Sequence, residues 1–338
     1  MIARSIVIFL CFFSNVSLAR QHTFKNIVFE GAGIRGIAYA GVVEEFEKAG
    51  VLQSIEKTGG TSAGAIVALL ISLGYSATEI TSIVSDTDFN RFNDGRFIFI
   101  GGVHRLKKYY GWYRGERFLK WVDELIEKKT GDPDITFSGL HQKGFKGLYI
   151  TATCLNRQQL MILSSETYPL MKIKDAVRIS MSIPLYFKAV FVDSHGAVVK
   201  KPGNRSDLDV MVDGGIIGNF PINMFDTVLQ DHSGASIRKI NPSTIGVRID
   251  SEIQIESDEK NKELAFMPIH NFKDYMSAFY ILVIENLNRN QLTAEDWERT
   301  IAVSSVDIGP QIKKLSKHQK EVLVNSGKKS ALQFLGKN

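Results

Sequence analysis

The chain has 338 residues, 44% of them apolar and 23% charged, with a formal net charge of +5. That length buries a large core, as one big domain or two modest ones. The composition is that of an ordinary globular protein without repeats or low-complexity tracts. Two cysteines exclude a disulfide-stapled scaffold.

Residues 1–19 read as a secretory leader. Arg4 supplies the charge, Ile6 to Phe13 the apolar core and Ser17-Leu18-Ala19 a small-x-small cleavage site. The apolar run is too short to span a bilayer. Cleavage after Ala19 removes Cys11 and leaves Cys154, in a strand-like run, as a buried small hydrophobe. A secreted or periplasmic protein is the expectation, and nucleic acid is a poor fit for such a chain.

Lys25 to Glu30 reads as a strand, Gly31 to Gly36 as a glycine turn and Ile37 to Ala49 as a helix closed by Gly50. A weak strand near Ser54 to Gly59 leads into Gly60-Thr61-Ser62-Ala63-Gly64 and an apolar helix that runs to Leu73. Ala77 to Val84 reads as a helix capped by Ser76 or Thr78. Phe89 to Tyr113, dense in aromatics and glycine, reads as a packed irregular loop or lid. Most of its rings are expected in the core, with some lining a groove. Phe118, Val122 and Leu125 mark an amphipathic helix.

Farther on, 148–153, 160–164, 189–193, 209–212 and 244–249 read as strands, the first two pairing with each other. Ile173 to Ser180 reads as a short helix, and two or three helices occupy 271–290 and 317–335. Asn204-Arg205-Ser206 is a glycosylation sequon, meaningful in a eukaryotic secretory route. Residues 313–338 hold seven lysines against Glu321, a solvated helix face or a weak attraction to anionic lipid headgroups. Strands alternating with helices give an α/β fold with a largely parallel sheet. The expected division is the leader, an α/β domain, and a mainly helical part over 251–338 packed on the same domain.

Gly60 to Gly64 has the pattern G-x-S-x-G between a strand and a helix. A serine on that sharp turn sits at the positive end of the helix, where its attack on a carbonyl is favoured. Asp213 follows Val210-Met211-Val212 and precedes Gly214-Gly215, at a strand end. A carboxylate there can take the serine proton directly if partly desolvated; the plainer alternative is a turn aspartate.

In this order and spacing, Gly31-Ala32-Gly33-Ile34-Arg35-Gly36, the serine elbow and Asp213-Gly214-Gly215 resemble the patatin-like phospholipases. That family carries G-G-G-x-[RK]-G, G-x-S-x-G and D-G-[GA]; Ala32 here replaces the middle glycine. Ile179 to Phe187 and Asn219-Phe220-Pro221 also look familial. The resemblance covers 24–250 as the catalytic domain, and implies a three-layer α/β sandwich and a Ser62–Asp213 dyad without histidine. It implies an oxyanion hole from the amides around Ala32, Gly33 and Ile34, with Arg35 holding the loop. Gly31, Gly36, Gly60, Gly64, Gly214 and Gly215 are the supporting motif positions. It further implies a phospholipid or other acyl-lipid substrate, transient membrane-surface contact, and no metal or cofactor. An activating protein is left open.

Three rivals stand beside it. Gly31, Gly33 and Gly36 match a dinucleotide fingerprint, with Glu56 20 residues past Gly36; that reading explains neither the elbow nor Asp213. A Ser–His–Asp hydrolase would need a base among His104, His141, His195, His232, His270 and His318, with His270 as its candidate. A lipid-binding protein with a vestigial pair is the third.

Overall fold

A computed structural model describes residues 24–95, 98–230, 234–260, 263–286, 289 and 292–336; the leader and His232 lie outside the described residues. Eight strands form the main sheet: β1 (Asn26–Phe29), β2 (Lys57–Gly60), β3 (Gly147–Cys154), β4 (Gln159–Leu163), β5 (Val190–Val192), β6 (Asp209–Asp213), β7 (Thr244–Asp250) and β8 (Thr300–Ser304). Their order is β8-β7-β1-β2-β3-β6-β5, with β4 also on β3. The pairs from β8 across to β3 are parallel; β3–β4, β3–β6 and β6–β5 are antiparallel. Helices flank this sheet, as the α/β sandwich reading expects.

The helices that position the site are α1 (Tyr39–Lys48), α2 (Ala63–Ser72), α3 (Ala77–Asp86), α4 (Ile98–Tyr109), α5 (Glu116–Thr130), α6 (Ile173–Ser180), α7 (Phe272–Tyr280) and α8 (Lys317–Leu335). Every residue of α2 is buried, which is why its sequence is apolar all round rather than striped. β1 and β7 are likewise buried throughout, as parallel strands covered on both faces should be. Ser76 caps α3 with a full capping box through Glu79. Cys154 is fully buried and free.

Two stretches differ from the sequence reading. Phe89 to Tyr113 is not one irregular loop: it holds a 3-10 turn at Phe89–Phe92, helix α4, and a short strand, Gly111–Tyr113, paired with Leu185–Phe187. Within 251–338, β8 adds a strand to the main sheet. Helix α8 crosses α1 closely: a Cβ on Gly41 would stand 1.9 Å from the Val324 carbonyl oxygen, and one on Gly327 2.0 Å from that of Ala38. Two of the carboxy-terminal lysines stitch this helix down. Lys328 pairs with Glu44 at 2.7 Å, and Lys320 donates to the carbonyls of Ser85 and Thr87.

Candidate active site

The sheet changes from parallel to antiparallel at β3, and the motif residues gather there. Gly60 pairs with Ile150 on one side of β3, and Asp213 pairs with Ala152 on the other. Ser62, two residues past Gly60, and Asp213 therefore lie at the same height across one strand. Ser62 lies beyond the carboxyl end of β2, the side of the sheet on which ligands bind in open α/β folds.

Ser62 has φ 54 and ψ −119, a conformation that costs a non-glycine residue about 1–3 kcal/mol and persists only when its surroundings fix it. They do. Its N–H donates to Ser180 Oγ at 2.9 Å, and Thr61 Oγ1 meets Thr151 Oγ1 at 2.6 Å and donates to the Gly218 carbonyl at 3.0 Å. The turn also needs close approach: a Cβ on Gly64 would stand 2.4 Å from the Phe29 carbonyl oxygen. Gly60, Gly36 and Gly214 abut Gly64, Ala63 and Thr151 in the same way.

Asp213 is buried. Burial pushes its carboxyl up to about 7, while the Gly215 N–H and the Ser62 hydroxyl pull it back less strongly. Gly215 N–H donates to Oδ1 at 2.8 Å; Oδ2 is buried without a hydrogen-bond partner among the described residues. The Ser62 hydroxyl acts on Asp213, yet its hydrogen bond runs to Met181 Sδ at 3.5 Å. The Asp213 N–H donates to the Ser182 carbonyl at 3.0 Å, and buried Arg178 binds Ser182 Oγ and the carbonyls of Arg114 and Lys188.

The glycine loop lies at the same end of the sheet. Arg35 Nε donates to the Ala32 carbonyl at 3.1 Å, and Gly31 N–H to the Asn219 carbonyl at 3.0 Å. Asn219 Nδ2 returns a bond to the Gly31 carbonyl at 2.9 Å. Gly33 has φ +56, open to glycine at no steric cost. The Ile34 N–H is engaged: it donates to the Pro310 carbonyl at 3.4 Å. Beneath the loop, Arg248 lies 3.2 Å from Glu30 and 2.8 Å from Asp250, and Arg289 pairs with Asp250 at 3.1 Å. Burial alone would raise the Asp250 carboxyl, but Arg248 and Arg289 hold it below its usual value.

Ser62 opens into a narrow apolar cavity of about 40 Å³, whose walls include Ile37, Ile66, Phe92, Phe118 and Phe187. The rings of Phe89, Phe92, Phe118 and Trp121 pack edge-on and tilted against one another, so the aromatic segment serves core and cavity together. Ile183 and Ile312 line both this cavity and a neighbouring groove of about 700 Å³, bounded by Trp112, Tyr113, Leu185 and Phe279 among others.

Among the described residues no histidine lines the cavity, and His104, His141, His195, His270 and His318 are exposed. Glu56 is exposed and pairs with Lys25 at 2.7 Å. Ser180 and Met181 fall within the familial-looking Ile179–Phe187 stretch but had no role assigned from sequence, and Arg178, Pro310 and Ile312 were not singled out.

Residues 27–226 match the patatin-like phospholipase family. An uncharacterised protein of Acanthamoeba polyphaga mimivirus is 28% identical over 316 residues, 93% of this chain and 94% of its own length. A probable lipid hydrolase of Invertebrate iridescent virus 6 is 24% identical over 202 residues, 60% of this chain and 63% of that protein. Among solved structures, VipD from Legionella pneumophila is similar in fold, with a TM-score of 0.56 at 14% identity over 93% of this chain and 67% of VipD.

Proposed function

The chain belongs to the patatin-like phospholipase family, and from that premise we propose that it cleaves fatty-acyl esters of phospholipids through a Ser62–Asp213 dyad. One observation carries the reading: a strained serine stands beside a carboxyl that burial pushes up to about 7, with no histidine among the described residues that line the cavity. A base poised near neutral pH combines the right protonation state with the greatest proton affinity.

In the first step Ser62 Oγ forms a bond to the ester carbonyl carbon as its proton passes to Asp213 Oδ2. Amides of the Ala32–Ile34 loop stabilise the oxyanion, each such donor being worth about 3–4 kcal/mol. The carbonyl re-forms, and the alcohol or lysolipid leaves with the proton from Asp213. Water, giving its proton to Asp213, then attacks the acyl-serine; the fatty acid departs and Ser62 recovers its hydrogen. The apolar walls around Ser62 suit an acyl chain. The leader makes an exported enzyme the expectation, and a secreted product beginning at Arg20 would bear it out.

The test is fatty-acid release from mixed phospholipid vesicles, with and without EDTA. Wild type should release fatty acid in both, and folded Ser62→Ala and Asp213→Asn should fall by about a thousandfold or more. Activity that survives in Asp213→Asn would contradict the dyad.

A further inference from the structure

The chain beyond β8 crosses the mouth of the site and caps it. The Pro310 carbonyl accepts the Ile34 N–H, and a Cβ on Gly33 would stand 2.0 Å from the same oxygen. A carbonyl oxygen with partial negative charge thus sits where the loop's donors would meet a substrate oxyanion. Two residues on, Ile312 stands between the narrow cavity and the large groove.

This strap is entered through strained backbone. Val306 and Asp307 have φ 45 and 59, and a β-branched residue in that region is a genuine outlier. Buried Ile308 and Leu315 pin its two ends. Its middle is tied outward: Gln311 Nε2 donates to Ser277 Oγ on α7 at 2.6 Å.

Helix α7 presents an uncovered apolar face. Phe272 is 77% exposed and Phe279 54%, and Phe266, just before the helix, is 87% exposed. Tyr275, Ile269 and Leu282 are exposed beside them. A face of this kind on a soluble domain marks an interaction surface. The opposite wall of the groove supplies the chemistry of the partner. Residues 104–114 carry exposed Lys107, Lys108 and Tyr110 with Trp112 and Tyr113 at the groove, and no acidic residue. Exposed Leu185 stands on that wall too. Aromatic rings settle at the headgroup level of a bilayer, and lysines are drawn to anionic headgroups.

Resting on the reading of Ser62 and the glycine loop above, we infer that this face docks on an anionic phospholipid surface. Docking draws α7, and with it Gln311 and Pro310, off the loop, so the donors come free only where lipid is present. The surface that delivers the substrate thereby uncaps the site.

Hydrogen exchange tests this without turnover. The full chain carrying Ser62→Ala is compared alone and with vesicles of phosphatidylcholine and phosphatidylglycerol in equal parts. Exchange should slow across 266–282 and speed up across 306–316, by about tenfold, within the usual span of coupling between sites. Phosphatidylcholine alone should do less. In the doubly substituted Phe266→Ser, Phe272→Ser chain both changes should vanish. With Ser62 restored and no vesicles present, that variant should hydrolyse soluble p-nitrophenyl butyrate at the same low rate as wild type, since both are capped. Protection of 266–282 with no change across 306–316 would overturn the coupling, and no protection at all would overturn the docking. A wild type inert toward the soluble ester even with the anionic vesicles present would sink the catalytic reading instead, and leave the exchange result to stand or fall alone.

Discussion

At the scale of single residues, the site turns on how Asp213 is kept near neutrality. Its carboxyl is raised because burial strips water from the charged form, and one backbone N–H does not compensate. Activity should therefore rise with pH through about 7, as the base loses its proton. Stability should run the other way. The folded protein holds a proton that the unfolded carboxyl, near 3.8, has already lost, so this group's contribution is full below 3.8 and disappears as pH rises through about 7. Asp213→Asn removes that titration. Matched to wild type at low pH, the variant should gain up to about 4 kcal/mol on it by pH 8, at about 1.4 kcal/mol per pH unit; urea unfolding across the range measures the gap. A flat difference would mean the carboxyl titrates normally.

Arg248 poses the opposite problem, a buried cation between Glu30 and Asp250 directly below the glycine loop. Arg248→Met would leave two buried carboxylates short of their cation and should cost about 3–5 kcal/mol in chemical unfolding. A cost below about 1 kcal/mol would show that water reaches the network.

At the scale of elements, legibility followed locality. The elbow and the glycine loop are set by residues within a few positions of each other, so their motifs show in the sequence. The capping box at Ser76 was legible for the same reason. Strand β8 was not: Thr300 to Ser304 is five residues without glycine or proline at its ends, and only pairing with β7 makes it a strand. The segment 89–113 misled because glycine and aromatics suggested a loop. Gly102 in fact lets α4 pack on the Trp112 ring, 2.6 Å from where a Cβ would sit. The α1–α8 crossing depends on Gly41 and Gly327, whose spacing in sequence carries no signal. Gly327→Leu would force the two helices apart and should cost about 3 kcal/mol or more, read as a lowered urea midpoint. An unchanged midpoint would mean the crossing is looser than its backbone contacts imply.

At the scale of the whole molecule, the site is where three distant parts of the chain meet at one change of strand direction. Ser62 and Asp213 were legible as candidates, since each sits in a short glycine-flanked motif. Their shared height across β3 was not, because register is a property of pairing rather than of either segment. The Pro310 strap was illegible for a further reason: Val306 and Asp307 carry positive φ without the glycine that would announce it. The most direct measurement is mass-spectrometric mapping of a fluorophosphonate adduct on the intact chain. The dyad reading expects one adduct, on Ser62, forming faster as pH rises through about 7 and at least about a hundredfold slower in Asp213→Asn. Labelling of another residue, or an unchanged rate in Asp213→Asn, would contradict it.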